Sequence, residues 1–292
     1  MLNSESFARL KIIGAMLIFG TVGIFRNQIP LPSAFISLTR GLIGAAFLLL
    51  IITLKGQKLN ISAIKNNFLY LTLSGAALGL NWVLLFEAYN YTTVAQATLY
   101  YYLAPVIIVF SAAVLFKERL TIKSVICSLV ALCGMVPVSG VLSTGIKGIN
   151  IKGLVYGVGA AFLYASVVLL NKKIKDIPAL DKSFVQLLIS AIVLLPYVAF
   201  SGQLKGISFT YSSLAMILVL GVVHTGVAYA LYFGAIKNIK ASAAAILSYI
   251  DPVFAIVLSS AIYLTLPDKW VLIGGVMILG STLISEIKFD KK

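Results

Sequence analysis

Four ionisable side chains fall inside long apolar stretches of this sequence. They are Arg40, Glu87, His224 and Asp251. If the stretches cross a bilayer, each charge costs roughly 2.5–3.5 kcal/mol at the centre of a helix, and such residues usually face the protein interior along a path for ions or substrates. These residues are therefore the first candidates for chemistry.

Asp251 and His224 lie near the middle of their stretches. Asp251 directly precedes Pro252, and a proline disturbs the helical turn before it. Its carboxylate could cap the half-helix that follows, or it could bind and release protons during transport. Histidine titrates near neutral pH, so His224 could serve proton coupling, or it could form a hydrogen bond between helices.

Arg40 and Glu87 are predicted at similar depth, in the outer third of neighbouring stretches. An ion pair between them would reduce the cost of burying either charge. The pair could be purely structural. Alternatively, it could form an outer gate or a clamp on the carboxylate and ammonium groups of a zwitterion. Arg40, Glu87 and Asp251 are the predicted coupling or gating residues.

Aromatic residues accompany these charges. Tyr89 and Tyr91 lie near a predicted helix end, where tyrosine usually belongs to the interfacial belt. Deeper rings with a polar tip suit an aromatic or cationic solute, while packing between helices is the competing interpretation for each ring. The predicted substrate-binding residues are Asn81, Trp82, Tyr101, Tyr102, His224, Tyr229 and Tyr249.

The elements that position these residues follow from composition. The 292 residues are 60% hydrophobic and 11% charged, whereas a soluble domain carries roughly 25% charged residues. A helix needs roughly 20 mostly apolar residues to cross a bilayer. The sequence therefore predicts an all-α membrane protein with ten spans, near residues 10–26, 34–54, 67–89, 94–116, 122–140, 152–172, 182–200, 212–235, 241–264 and 269–286.

The basic residues are distributed unevenly between the two faces that these spans create. Of the 23 lysines and arginines, 17 fall on the face that holds both termini, 5 fall on the other face, and Arg40 lies within a span. Basic loops favour the cytoplasmic side. The count predicts cytoplasmic termini and insertion in the cytoplasmic (inner) membrane. Because the charges lie in short loops, nucleic acid is not a predicted partner.

An internal repeat divides the spans into two groups. Pro105 and Pro252 are 147 residues apart, and Tyr102 and Tyr249 share that separation. Five spans are an odd number, so the second copy must enter the membrane in the opposite direction. The prediction is two inverted five-helix repeats at residues 1–147 and 148–292, an arrangement typical of secondary transporters. The same separation also relates Gly79 to Gly226, Phe86 to Phe233, Ala88 to Ala235 and Ala97 to Ala244.

Three segments of the first half resemble the EamA repeat of the drug/metabolite transporter superfamily. They are Phe86 to Thr92 with its short polar turn, the alanine-rich Ala95 to Pro105, and Leu115 to Leu120 with its closing Glu118. The resemblance covers the whole chain, but the second copy has Thr265 in place of Glu118. It implies a cavity lined by spans 1–4 and 6–9, with spans 5 and 10 at the periphery. It also implies transport of amino acids, amines, nucleosides or related metabolites.

The sequence contains no Walker A, H-E-x-x-H, C-x-x-C or G-x-S-x-G motif, so it predicts neither ATPase nor hydrolase activity. No enzyme activity, cofactor or metal is predicted. The leading hypothesis is a secondary transporter that exports small metabolites such as amino acids or amines. It would work by alternating access with a proton or solute gradient, as a monomer or weak homodimer. The alternatives are an uptake carrier for quaternary amines, and a flippase subunit or membrane enzyme that handles a lipid-linked headgroup.

Overall fold

The regular structure is entirely helical in the computed structural model, which describes residues 4–92, 94–138, 141–144, 150–202, 209–263 and 269–286. Eight of the predicted spans are long and apolar enough to cross a membrane, and the described parts of spans 5 and 10 are shorter apolar helices. The predicted all-α membrane fold is therefore confirmed.

The helices follow the predicted spans closely. Spans 1–5 are formed by Ser4–Gly20 with Val22–Asn27, by Ser33–Leu54, by Phe68–Tyr91, by Val94–Tyr101 with Ala104–Phe116, and by Ile122–Val138. Spans 6 and 7 are Ile151–Lys173 and Ala179–Phe200. Span 8 joins Tyr211–Val219, the π-helix Leu220–Val227 and Ala228–Ala235. Span 9 joins Ala241–Leu247 and Ile250–Tyr263, and span 10 is Lys269–Glu286. Short helices cover Ile61–Asn66, Val141–Thr144 and Ile236–Asn238.

Equivalent spans begin with equivalent local signals. Pro32 precedes span 2 with φ −57° and ψ 137°, and Pro178 precedes span 7 with φ −56° and ψ 142°. Proline suits the start of a helix because the N–H that it lacks has no partner inside the helix there. Asn150 and Thr210 cap spans 6 and 8 by accepting hydrogen bonds from the first-turn N–H groups. These side chains fix where the spans begin.

Spans 4 and 9 are each interrupted near the middle of the membrane. The interruptions lie at Tyr102 and Leu103 in span 4 and at Ser248 and Tyr249 in span 9. A proline follows each interruption within the first turn of the next segment, where its missing N–H costs no helical hydrogen bond. The half-helices that follow therefore begin at the centre of the protein.

Two tyrosines lie on the axis that relates the halves. The hydroxyl of Tyr249 donates a hydrogen bond to the backbone oxygen of Tyr102 at 3.1 Å, and the two ring centroids are 6.0 Å apart. Because these residues are counterparts in the repeat, their contact places them next to the pseudo-two-fold axis, one on each side.

Whole helices obey the same symmetry. Span 2 packs on span 7, span 4 on span 9 and span 5 on span 10, so each touches its own counterpart. Span 3 packs on span 6 just as span 8 packs on span 1. The two inverted five-helix repeats are thereby confirmed. The predicted boundary between residues 147 and 148 lies outside the described residues and stays a prediction.

Glycines allow the closest crossings between the halves. A Cβ atom on Gly79 would lie 2.7 Å from the backbone oxygen of Ser190, and one on Gly75 would lie 2.9 Å from that of Gln186. Span 3 therefore packs backbone to backbone on span 7, as small residues at four-residue spacing permit.

Candidate functional site

A cavity of about 350 Å³ lies between the two halves. Its walls come from spans 1, 2, 3, 4, 6, 8 and 9. The expectation that span 7 also lines the cavity is wrong for the described residues, because span 7 is packed behind the wall against spans 2 and 3. The cavity extends from the middle of the protein toward Arg26 and Ser33, on the face opposite the termini. Its volume is at the lower end of the range for small-molecule sites.

Arg40 is a wall residue with an unsatisfied donor. Its guanidinium carbon lies 4.5 Å from the centroid of the Trp82 ring, a cation–π contact. Its Nε is buried and has no hydrogen-bond partner in the part of the chain that the structure describes. Buried donors are normally paired, so this nitrogen leaves the hydrogen bonding of Arg40 incomplete.

Asp251 lines the same cavity. It is the second residue of Ile250–Tyr263, so it lies within that helix rather than at its cap, and the capping interpretation is wrong. Its carboxylate forms no ion pair or hydrogen bond with any described residue. Span 1 supports it from behind, since a Cβ atom on Gly20 would lie 2.8 Å from the backbone oxygen of Asp251. The carboxylate stands near the positive end of a half-helix.

Aromatic rings form much of the remaining wall. Trp82 and Tyr229 have centroids 6.3 Å apart, and Tyr101 and Tyr164 have centroids 5.6 Å apart. Tyr102 also lines the cavity. Such rings offer apolar area together with hydroxyl and indole groups that bind polar atoms. Four of the predicted substrate-binding residues are therefore together in one cavity: Trp82, Tyr101, Tyr102 and Tyr229.

The two tyrosines assigned to the interfacial belt, Tyr89 and Tyr91, have different surroundings in the structure. Tyr89 lines the cavity, so the belt assignment is wrong for this residue. Tyr91 lies at the end of span 3, where its ring stacks on Tyr156 with centroids 5.5 Å apart.

Glu87 lies outside the cavity. Its carboxylate accepts a hydrogen bond from the hydroxyl of Tyr197 at 2.5 Å, which ties span 3 to span 7. The predicted ion pair with Arg40 is wrong, since no such pair is formed between these two described residues. Five residues correspond to 500° of helical rotation, so Glu87 points about 140° away from Trp82 and hence away from Arg40.

Three further candidates pack behind the wall. His224 lies in the π-helix of span 8, and its Nε2 atom is 2.6 Å from the hydroxyl oxygen of Thr21 in span 1. The amide nitrogen of Asn81 donates to the backbone oxygen of Ala160 at 2.6 Å. Tyr249 uses its hydroxyl next to the symmetry axis. Their predicted roles in substrate binding remain predictions.

Some wall residues escaped the sequence analysis. Tyr164 lies in the middle of span 6, so the criterion used for the other deep tyrosines would have found it. Arg26 was counted as a loop charge. Its guanidinium donates to the backbone oxygen of Ile29 at 3.0 Å and to the hydroxyl of Ser33 at 2.9 Å, which closes the turn between spans 1 and 2.

On the termini face, charged side chains hold the turn between spans 8 and 9 at residues 233–242. Glu118 accepts hydrogen bonds from the N–H of Ala241 at 2.8 Å and from the hydroxyl of Ser242 at 2.9 Å. Its negative charge therefore lies at a helix N-terminus, where it is stabilised.

Two lysines hold the same turn from the other side. The ammonium of Lys172 donates to the backbone oxygen of Ile239, and that of buried Lys182 donates to the backbone oxygen of Phe233. Cations near the C-terminal end of a helix are stabilised by its dipole. One carboxylate and two ammonium groups at the ends of spans 4, 6 and 7 thus bind the turn through hydrogen bonds.

A ligand-sized cavity between two inverted halves, flanked by interrupted helices, is the architecture of a membrane transporter. The comparisons agree. The model of the EamA-like transporter family matches residues 6–140 and 151–286. The chain belongs to this family and is a multi-pass membrane transporter.

Curated relatives carry the same general description. An "Uncharacterized transporter YxxF" of Bacillus subtilis (strain 168) is 29% identical over 291 residues, which cover 99% of this chain and 93% of the relative. An "Uncharacterized transporter" of Archaeoglobus fulgidus is 30% identical over 198 residues, which cover 66% of this chain and 67% of the relative. A crystal structure with 20% sequence identity and a TM-score of 0.85 covers 97% of this chain and 98% of that chain, which supports the fold.

Proposed function

We propose that this transporter exports a small zwitterionic solute, such as an amino acid, across the cytoplasmic membrane by alternating access. The observation that carries the proposal is the pair of opposite charges in one cavity wall. Arg40 has an unsatisfied buried donor, and the carboxylate of Asp251 has no described partner. Buried charges are normally paired, so a solute that bears both charges would complete the site.

Each part of such a solute has a matching surface. The guanidinium of Arg40 binds a carboxylate through two parallel hydrogen bonds, a geometry that lysine does not provide. Asp251 binds the ammonium group. The rings of Trp82, Tyr101 and Tyr229 cover the apolar part of the solute.

Uptake of a quaternary amine is the second candidate, because aromatic rings next to a carboxylate suit a cation. Trp82, Tyr229 and Asp251 provide such a set. Arg40 favours the zwitterion over the cation, since an unneutralised guanidinium in the same small cavity repels a ligand whose only charge is positive.

Alternating access is supported by a difference between the two faces. The cavity extends toward the face opposite the termini, whereas the charged side chains of Glu118, Lys172 and Lys182 close the termini face. The equivalent turn between spans 3 and 4 has fewer such charges. Counted from the Pro32–Pro178 pair, Lys182 corresponds to Ile36, and Thr265 stands in place of Glu118. Lys172 corresponds to Arg26, which donates within the turn between spans 1 and 2 instead.

This asymmetry supports an outward-facing assignment, with the termini in the cytoplasm. An exporter must first bind its solute from the cytoplasm. In that state the turn at residues 233–242 would move away from spans 4, 6 and 7 and open the cavity to the inside. A proton that binds Asp251 and leaves in the other state would couple this cycle to the proton gradient.

The test is counterflow in proteoliposomes, with labelled amino acids and quaternary amines as candidate solutes. The expected result is accumulation of an amino acid by the intact protein. Arg40→Gln should reduce it by about tenfold or more, because charged hydrogen bonds contribute roughly 1.5–3 kcal/mol. Arg40→Lys should restore only part of the flux.

Arg9→Gln is the matched control, because Arg9 pairs with Glu5 at 2.6 Å at the start of span 1 and does not line the cavity. It should transport like the intact protein. Undiminished amino-acid flux in Arg40→Gln would contradict the zwitterion site, and transport of amines alone would favour the second candidate.

A further inference from the structure

A second cavity, of about 610 Å³, lies on the termini face between the inner ends of spans 3, 4 and 6. Its lining includes Asn66 from the short helix Ile61–Asn66, Tyr70 from span 3 and Phe116 from span 4. The basic residues Lys172, Lys173 and Lys175 complete the wall. It shares no lining residue with the central cavity, so it is a separate site.

The frame of this cavity is held by hydrogen bonds. The amide nitrogen of Asn67 donates to the backbone oxygen of Lys175 at 2.8 Å, and the N–H of Lys175 donates to the amide oxygen of Asn67 at 3.1 Å. The following residue, Asp176, has a φ of 51°, in the left-handed region that turns the chain. The loop after span 6 is thus fixed on span 3, which preorganises the wall.

The cavity carries an excess of positive charge. Lys173 and Lys175 are exposed and form no ion pair with a described residue, while Lys172 donates to the backbone oxygen of Ile239. Among the described lining residues, Asp176 is the one carboxylate. Two ammonium groups therefore remain available to an anion.

An apolar surface continues from the cavity into the membrane. Leu73 lies one helical turn deeper than Tyr70 on the same face of span 3 and is 47% exposed. Span 6 packs against both span 3 and the inner segment of span 4, so it forms the floor between them. A molecule in this place meets cations at one end and apolar surface at the other.

We propose that this second cavity binds the phosphate headgroup of an anionic membrane phospholipid, with an acyl chain along Leu73. A soluble phosphate compound has the same headgroup chemistry, but it has no acyl chain that would cover the apolar surface. Basic pockets between membrane helices near the headgroup level are suited to anionic lipids. The bound lipid would brace the loop between spans 6 and 7.

The test uses the full-length protein reconstituted in vesicles of equal parts phosphatidylglycerol and phosphatidylcholine. After mild extraction, native mass spectrometry measures which lipid remains bound. The intact protein should retain phosphatidylglycerol preferentially. Lys173→Gln with Lys175→Gln should lower this retention by about tenfold, since each lysine near an anionic surface contributes to attraction. Higher ionic strength should lower it in the intact protein.

Lys55→Gln with Lys58→Gln is the matched control, because both are exposed lysines on the same face that do not line the cavity. This control should retain the lipid, and equal unfolding temperatures in neutral detergent should show that both double variants are folded. Equal loss in the two double variants, or no preference for phosphatidylglycerol, would overturn the proposal. Inorganic phosphate that displaces the lipid at millimolar concentration would show a soluble-anion site and overturn the lipid assignment.

Discussion

Single residues carry the proposal that the central cavity binds a polar solute. Arg40 and Asp251 carry opposite charges, line one cavity and form no ion pair with each other. The ring of Trp82 offsets part of the cost at Arg40 through the cation–π contact. The remaining hydrogen-bonding capacity is left for the solute, which makes these residues the most informative to change.

Asp251→Asn tests proton coupling at this scale. Asparagine has nearly the same shape but cannot bind and release a proton. We expect flux driven by a pH gradient to fall by about tenfold or more, while exchange of solute for solute continues with a higher KM because the ammonium partner is weaker. The measurement is flux in proteoliposomes with and without an imposed pH gradient. Unaltered pH dependence would refute the coupling role.

Residue types were predicted from the sequence better than side-chain directions. The rule that ionisable residues inside spans face the interior found Arg40 and Asp251, and the search for deep aromatic rings found Trp82. Similar depth in the membrane suggested an ion pair between Arg40 and Glu87, but the structure shows that no such pair forms. Depth along a helix does not determine the direction in which a side chain points around the helix axis. Tyr89 fails for the same reason, since a residue near a helix end can still face inward.

At the scale of elements, close crossings and interrupted helices shape the site. The pairing of Gly75 and Gly79 with span 7 removes that span from the cavity wall. The interruptions in spans 4 and 9 bring Tyr102 and Asp251 to the centre. Pro105 and Pro252 indicated the interruptions in the sequence, whereas the packing of Gly75 and Gly79 on span 7 could not be predicted from it.

Gly79→Ala tests the crossing of spans 3 and 7. The added Cβ would lie 2.7 Å from the backbone oxygen of Ser190. Overpacking of this kind costs about 1–3 kcal/mol in the free energy of unfolding, so we expect a lower unfolding temperature in detergent. Gly14→Ala is the control, because its Cβ would meet no atom within 4 Å. Equal unfolding temperatures for the two variants would contradict the close backbone contact between spans 3 and 7 at Gly79.

Glu118→Ala tests the closure of the termini face. Ala241 and Ser242 would lose a charged acceptor, and charged hydrogen bonds contribute roughly 1.5–3 kcal/mol. We expect amide hydrogen exchange in the turn at residues 233–242 to rise by about tenfold, measured by mass spectrometry. Glu5→Ala, which removes another carboxylate from the termini face, should leave this turn unchanged. Unchanged exchange in Glu118→Ala would mean that the lysines hold the turn without it.

At the scale of the whole molecule, the inverted repeat organises both fold and site. The count of basic residues and the constant separation predicted ten spans and two inverted halves, and the contact between Tyr102 and Tyr249 bears out that symmetry. The sequence could not show how the symmetry is broken. The sequence showed that Glu118 has no glutamate counterpart in the second half. It did not show the roles of Lys172 and Lys182, because these lysines bind backbone oxygens of the turn between spans 8 and 9, whose position is known only from the structure.

The central claim is that the two halves expose one cavity to opposite faces in turn. Its most direct measurement is the distance between spin labels by double electron–electron resonance, in a background with Cys127→Ala and Cys133→Ser. One pair replaces Tyr91 and Tyr211 on the face opposite the termini. The other pair replaces Lys55 and Asn238 on the termini face.

Addition of a transported solute should shorten the distance between positions 91 and 211 and lengthen that between positions 55 and 238. A label pair within one half, at positions 55 and 91, should keep its distance and serve as the control. Distances that stay fixed, or that change in the same direction on both faces while flux continues, would contradict alternating access through this cavity.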